Sequence, residues 1–279
     1  MLRVLKAGLF TTVQDTGRYG YLNIGVPVAG YMDSVSAQKV NRLLENELTD
    51  AVIEITMTGP TLEFDKDTYI CLGGAEISAT LNNEPIQSYQ VLHVAAGDIL
   101  SYGKLKKGFR AYLAVKGGFR TASVMGSRSF FSSVTKTDHL ADQARIPYAD
   151  CVDFKPKITE LRVDSFLEES VLEVSKGPEY EMLTNSQLEP IFSRPFSISN
   201  ENNRMAYQLE ELIPGHGQSM LTSATLPGTV QLTPAGRLII LMKDGQTTGG
   251  YPRILQLSDK AISILAQKKF GDKLSFKLT

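Results

Sequence analysis

The chain has 279 residues, with 29 Lys plus Arg against 30 Asp plus Glu, a formal net charge of −1. That balance excludes a nucleic-acid binder held by a strongly basic surface, though not one local basic patch. With 42% hydrophobic and 21% charged residues, the composition is that of an ordered globular protein, and the length suits one large domain or two of roughly 140 residues.

The pattern along the chain is mostly β. Alternating stretches predict strands at Arg3–Leu9, Ile53–Met57, Tyr69–Leu72, Ile77–Leu81, Val91–Val94, Ile99–Tyr102 and Arg110–Val115, separated by Gly, Asn, Asp and Pro. Asp33 is placed to cap a helix with Ala37, Val40, Leu43 and Leu44 on its apolar face, ending near Asn46. Leu81-Asn82-Asn83-Glu84 reads as a tight hairpin, because Asn tolerates positive φ. A second strand series covers Leu161–Val163, Val171–Val174, Phe196–Ile198, Ala206–Leu212, Val230–Leu232, Leu238–Leu241 and Leu274–Lys277. Ser258 can cap a second helix, with Ala261, Ile264 and Leu265 on one face. Lys268 and Lys269 follow at its C-terminal end, then Gly271 as a stop.

The halves echo each other weakly. Glu54 to Pro60 resembles Glu173 to Pro178, and Gly97-Asp98-Ile99-Leu100 resembles Gly271-Asp272-Lys273-Leu274. Two similar β modules, over residues 1–150 and 151–279, would explain this, with the boundary in the polar stretch Ala141–Leu161.

Leu238 to Met242, the longest aliphatic run, is far short of the roughly 20 residues that span a bilayer. The alternating N-terminus lacks the apolar segment of a signal peptide, so the chain reads as soluble and cytoplasmic. Cys71 and Cys151 are the only cysteines, and His93, His139 and His216 lie far apart. No spacing signals a metal site.

Four segments concentrate polar chemistry. Gly8 to Gly20 packs Thr11, Thr12, Gln14, Asp15, Thr16 and Arg18 between glycines. There Arg18 could grip an anion and Asp15 could orient it or accept a proton; the alternative is a turn stapled by an Asp15–Arg18 ion pair. Leu241 to Arg253 follows a buried-looking strand. In it Thr247, Thr248 and the Gly249–Gly250 amides could cradle an oxyanion, with Lys243 and Arg253 supplying charge; the alternative is a polar hairpin. Arg204, at a strand edge, could be an anion ligand or a solvated surface residue. Gly117 to Ser129 is a Gly/Ser/Arg stretch containing Arg128 that could hold phosphate, although it is no P-loop. Neither a Gly-x-Ser-x-Gly elbow nor a dinucleotide fingerprint occurs.

Taken together, these segments resemble one family: the C subunit of bacterial 5-oxoprolinase, also known as allophanate hydrolase subunit 2 and found in the carboxyltransferase part of urea carboxylase. The resemblance rests on Thr11-Thr12-Val13-Gln14-Asp15-Thr16-Gly17-Arg18, on Gly25 to Asp33, and on the helix carrying Asn41. It continues through Glu54 to Pro60, Gly73-Gly74-Ala75, Tyr112 to Gly118 and Gly126-Ser127-Arg128-Ser129. In the second half it rests on Gly228-Thr229-Val230-Gln231 and Asp244 to Pro252. It implies two cyclophilin-like β-barrel modules in a mainly β chain with few helices.

The resemblance further implies a B subunit and an A subunit as partners, ATP with Mg as co-substrate, and opening of 5-oxoproline to glutamate. Asp15, Arg18, Arg204 and Asp244 become the catalytic candidates. Gln14, Asn41, Arg128, Gln231, Lys243, Thr247, Thr248, Gly249, Tyr251 and Arg253 become the candidates for binding substrate or nucleotide. Asp15 or Asp244 would orient a nucleophile or hold Mg²⁺. No resident metal site, nucleic acid or membrane contact is implied, and this chain has no Met-Lys-Met biotin-attachment pattern. Two other roles stay open, a carboxyltransferase component and a non-catalytic partner of the B subunit. The second draws on departures from the pattern. The family's Asp-Arg-Met-Gly-Tyr-Arg-Leu is here Asn203-Arg204-Met205-Ala206-Tyr207-Gln208-Leu209, and its Ser-Glu-Gly is Ser223-Ala224-Thr225.

Overall fold

The structure, a computed structural model, describes residues 1–163, 165–218 and 220–279. The chain divides into two compact units. One comprises Met1–Arg18 with Ala29–Glu168, the other Tyr19–Val28 with Glu169–Thr279. The division therefore falls after Glu168 rather than at residue 150. Residues beyond 150 still bond to the first unit, through Cys151 N to Asp67 O, Val91 N to Thr159 O and Leu161 N to Tyr89 O.

The first unit carries β1 (Leu2–Lys6), β2 (Phe10–Gln14), α1 (Ser34–Leu43), β3 (Val52–Thr56), β4 (Thr61–Phe64), β5 (Thr68–Leu81), β6 (Glu84–Ile86), β7 (Leu92–Val94), β8 (Ile99–Val115) and β9 (Arg145–Ile146). They form one nine-stranded, curled sheet around the 17-residue β8. One edge of β8 pairs with β5 along its length. The other edge is shared by β3 near one end and β4 near the other.

Two strands expected at Tyr69–Leu72 and Ile77–Leu81 are thus one, β5. Likewise Ile99–Tyr102 and Arg110–Val115 are both part of β8. The intervening glycines do not end the strands; the register shifts there instead, between Gly74 and Ala79. Asn82 and Asn83 do take positive φ, 51° and 70°, in the predicted hairpin.

Side-chain alternation sorts the β3 residues. Ile53 and Ile55 join Val13, Leu72, Leu113 and Phe64 in the main core. Val52 faces the other way, where Ala37, Val40 and Leu43 of α1 and Leu44 just beyond it pack on it with Cys71, Tyr112 and Ala114. Asp33 caps α1 as predicted, its Oδ1 accepting from Ser36 N at 2.9 Å. Burial pushes the Cys71 thiol up to about 12, so it holds no reactive thiolate.

The second unit carries β10 (Val171–Lys176), α2 (Asn185–Ser193), β11 (Phe196–Asn202), β12 (Ala206–Leu209), β13 (Ser223–Ala224), β14 (Thr229–Leu232), β15 (Leu238–Leu241), β16 (Thr248–Gly249), β17 (Arg253–Leu257), α3 (Asp259–Ala266) and β18 (Lys273–Leu278). Seven of these strands close a barrel in the order β10-β17-β14-β15-β12-β11-β18. Leu172, Val174, Ile198, Tyr207, Val230, Ile240, Leu255 and Phe276 are all buried. The pair of barrel modules expected from the family is met by this closed barrel and by the curled half-barrel of the first unit.

Two expectations fail locally. Leu161–Val163 forms no strand; among the described residues the segment is tied by the Glu160–Gln90 bridge and the Leu161–Tyr89 bond. The strand at Ala206 stops at Leu209 instead of Leu212. Among the described residues no helix is long and apolar enough to cross a membrane.

Candidate functional site

In the first unit the candidate residues gather where β2 ends. The Asp15 carboxylate accepts from Gly17 N at 2.8 Å, Ser127 Oγ at 2.5 Å and Ser129 Oγ at 2.7 Å on Oδ1, and from Arg128 N at 2.6 Å on Oδ2. Asp15 N also donates to Ser129 Oγ at 3.0 Å. Arg18 is only 1% exposed, and its Nη2 donates to Ser129 O at 2.6 Å. The expected Asp15–Arg18 staple is thus replaced. Asp15 clamps the stretch 127–129 by its side chain, and Arg18 bonds to the same stretch at Ser129 O. This joins two of the polar segments picked out in the sequence.

The neighbouring candidates play scaffold parts. Gln14 is buried, its Nε2 donating to Thr12 Oγ1 at 3.1 Å and Phe130 O at 3.3 Å. Asn41 uses both ends of its carboxamide, donating to Asp50 O and accepting from Asn46 Nδ2, which fixes the connection after α1. The Arg128 guanidinium donates to Thr121 O.

Close by in this unit lies a group that the local sequence pattern does not mark as chemistry. Glu54 Oε2 accepts from Met32 N at 2.7 Å and Tyr112 Oη at 2.9 Å. Tyr112 Oη in turn accepts from Asp33 N at 2.8 Å. Arg110 Nε stands 3.9 Å from Glu54 Oε1, and all five side chains are buried. Burial first, and then the charge of Glu54, push the Tyr112 hydroxyl well above its ordinary range, so it stays protonated and donates. The available signal is Glu54 itself, a carboxylate in the middle of the apolar run Val52-Ile53-Glu54-Ile55.

In the second unit, the candidates form two ion pairs and a small sheet. Arg204 binds Asp244 edge to edge, Nε to Oδ2 at 2.8 Å and Nη2 to Oδ1 at 3.0 Å. Neither expectation for Arg204, a free anion ligand or a solvated residue, describes this buried pairing. Arg253 meets Glu179 the same way, at 2.9 and 2.7 Å, and adds Nη1 to Ala224 O at 2.6 Å. Its hydrogen bonds hold the Glu179 carboxyl below the usual range. Nothing local in the sequence marks Glu179 for this part.

Thr248 and Gly249 pair as β16 with Ala224 and Ser223 of β13, and Thr247 O accepts from Thr225 N at 2.9 Å. Gln231 is 1% exposed beneath them, and its Nε2 reaches Tyr251 O at 3.5 Å. A Cβ on Gly249 would lie 2.5 Å from Gln231 Nε2 and 2.8 Å from Gln246 Nε2, so both carboxamide ends would have to move to admit one. Lys243 is half-buried, and Tyr251 is 40% exposed. The lost carboxylate at Asn203 has left the turn intact. The Asn203 Oδ1 accepts from Met205 N at 2.7 Å and Ala206 N at 3.1 Å, a task for any acceptor.

Neither Asp15 nor Asp244 fits the part of a Mg²⁺ ligand as it stands, because both carboxylates are committed to protein donors on both oxygens. Among the described residues no group of three His, Cys, Asp or Glu side chains could hold a metal ion.

Residues 24–278 match the family described as carboxyltransferase domain, subdomain A and B. The chain belongs to this family. It is 32% identical over 282 residues to the C subunit of 5-oxoprolinase from Escherichia coli K12, covering 99% of this chain and 90% of that protein. Its fold matches the crystal structure of TTHA0988 with a TM-score of 0.89 at 25% identity, over 99% of this chain and 55% of that one. It also matches the urea carboxylase of Kluyveromyces lactis with a TM-score of 0.87 at 27% identity, over 99% of this chain and 27% of that one. The chain thus spans about half of the first solved relative and about a quarter of the second.

Proposed function

We propose that this carboxyltransferase-family chain is the C subunit of an ATP-dependent 5-oxoprolinase complex. The observation that carries this reading is the near end-to-end match to the C subunit of a 5-oxoprolinase, covering 90% of that protein. The cyclic amide of 5-oxoproline resists water because its carbonyl is resonance-stabilised. Moving the terminal phosphoryl of ATP onto the carbonyl oxygen, with ADP leaving, makes the carbon electrophilic. Water then adds to that carbon, the C–N bond breaks as the ring nitrogen takes up a proton, and the resulting γ-glutamyl phosphate is hydrolysed by a second water to glutamate and phosphate.

Each unit offers groups for this chemistry. In the first, the buried charge of Arg18 favours negative charge developing on a carbonyl oxygen, since its field is strong where water is excluded. Asp15 and Arg128 hold the loop that braces it. In the second, Lys243 supplies charge, Thr247 and Thr248 supply hydroxyl donors, and Gln231, Gly249 and Tyr251 shape the surface. Arg204 and Arg253 are each neutralised by a carboxylate. The phosphates of ATP, with Mg²⁺, therefore draw most of their countercharge from the B subunit, which makes the complex the active form. The cytoplasm, where ATP is available, is the fitting compartment.

The test is phosphate release from ATP with and without 5-oxoproline, by the chain alone and with the B and A subunits of its own genome. Turnover that needs both 5-oxoproline and the complex supports the reading. A complex that forms and is silent with 5-oxoproline overturns it. The second reading is carboxyl transfer, favoured by the urea carboxylase likeness; it predicts exchange of a carboxyl group with biotinylated carrier protein in place of ATP turnover.

A further inference from the structure

Three consecutive amides lie just ahead of α1, and each has its own acceptor. Tyr31 N donates to Asp15 O at 2.9 Å, Met32 N to Glu54 Oε2 at 2.7 Å and Asp33 N to Tyr112 Oη at 2.8 Å. The chain reaches this point through two successive residues in the left-handed region, Ala29 at φ 53° and Gly30 at φ 82°. A Cβ on Gly30 would stand 2.8 Å from the Thr16 carbonyl and 2.9 Å from Asp15 O. Segment 29–33 therefore presses backbone on backbone against Asp15 and Thr16, and Glu54 with Tyr112 holds it there from the sheet side.

We propose that Glu54 is a positioning residue, acting through Tyr112 and the amides of residues 31–33 to set the place of the Asp15–Arg18 turn. Asp15 is gripped from two sides. Its side chain is held by Ser127, Ser129 and the Arg128 amide, and its carbonyl by Tyr31 N. The first grip fixes the turn to the loop, and the second fixes it to the sheet. A carboxylate suits the sheet anchor. It accepts from an amide and a phenol at once on one oxygen, and its charge faces Arg110 Nε at 3.9 Å on the other. A carboxamide in that place would still accept once or twice but would turn an N–H group toward the guanidinium. The inference rests on the proposed function only for its kinetic readout.

The experiment compares Glu54→Gln, Tyr112→Phe, Arg18→Ala and the double variant Glu54→Gln/Arg18→Ala in the reconstituted complex, with amide hydrogen exchange on each. Tyr112→Phe removes one hydroxyl and keeps the ring, so it serves if Glu54→Gln does not fold. The expected result is a kcat about ten- to hundred-fold lower with KM changed much less, since small misplacement of a charged group acts on the transition state. Glu54→Gln should add nothing to Arg18→Ala. Exchange should quicken at Gly17, whose amide is bound by Asp15, in both Glu54→Gln and Tyr112→Phe. Losses that multiply in the double variant, or folded variants with unchanged exchange at Gly17, overturn the proposal. If the wild-type complex is silent while Gly17 exchange still quickens in both variants, the positioning stands and the oxoprolinase reading falls.

Discussion

Arg204 and Asp244 hold each other by two parallel hydrogen bonds in surroundings that leave their side chains 8% and 12% exposed. The pair also ties the turn before β12 to the loop after β15, because Asp244 N donates to Arg204 O and Met242 N to Met205 O. A bidentate pair this sheltered is worth little against apolar neighbours of equal shape, yet it is costly to halve. Arg204→Leu alone or Asp244→Leu alone should therefore lower unfolding stability by about 3 kcal/mol. The double leucine variant should lose less than either single one. Urea unfolding of the three variants measures this, and a double variant less stable than both singles would refute it.

Asp15 serves four donors, so its replacement should be felt in both fold and activity. Asp15→Asn keeps the shape but exchanges one acceptor oxygen for a donor facing Ser127, Ser129 or the Arg128 amide. A loss of about 2 kcal/mol is expected, the range for hydrogen bonds to a charged group. The substrate-stimulated phosphate release of the complex should fall at least ten-fold. Thermal unfolding read beside the assay separates the two effects, and an Asp15→Asn protein with normal stability and turnover would contradict the clamp.

A methyl group at Gly249 has to displace two carboxamide ends. Its Cβ would meet Gln231 Nε2 at 2.5 Å and Gln246 Nε2 at 2.8 Å, and Gln231 is buried, so moving it disturbs the packing around it. Gly249→Ala should cost about 1–3 kcal/mol by overpacking. Trimming the obstacle in Gly249→Ala/Gln231→Ala should restore part of that loss. Equal instability of the single and double variants would show that the overlap is not the cause.

The Glu179–Arg253 pair carries a pH signature. Arg253 lowers the Glu179 pKa in the folded protein, so the folded state binds that proton less readily than the unfolded state. Its stabilisation is complete above the ordinary glutamate value of about 4.3. It is lost as pH falls through the lower, folded value. Glu179→Gln should flatten the dependence of stability on pH between about 5 and 3, and leave it unchanged above about 6. Acid titration of the unfolding midpoint gives the answer, and parallel curves for the two proteins would rule the pair out as a source.

Much of the fold can be read along the chain because its cues are local. The Asp33 cap, the apolar face of α1, the Asn82-Asn83 turn and the alternation in β12 each need only a few neighbouring residues. The rest depends on what the chain meets later. β5 and β8 run through their glycines because each strand supports the other across those positions. Helix α2 is masked in the sequence because Pro190 sits inside it. Its start is nevertheless written as Thr184-Asn185-Ser186-Gln187, where Gln187 Oε1 accepts from Thr184 N at 2.9 Å.

The candidate site is legible in residue type and far less in partnership. Asp15 finds Ser127 and Ser129 at separations of 112 and 114 residues, Arg253 finds Glu179 across 74, and Arg204 finds Asp244 across 40. Periodicity carries no information over such distances. A charged residue noted alone therefore looks like a ligand for something outside, when its counter-ion lies elsewhere in the same chain.

The seam of the barrel sets a timetable for making the protein. β18 pairs in parallel with β10 and antiparallel with β11, so the first and last strands of that barrel meet along the joint that closes it. Until Lys273–Leu278 has left the ribosome, β10 and β11 each lack a neighbour, and their unpaired edges invite contact with other nascent chains. A cell that makes this protein quickly therefore depends on whatever shields those edges until β18 has emerged.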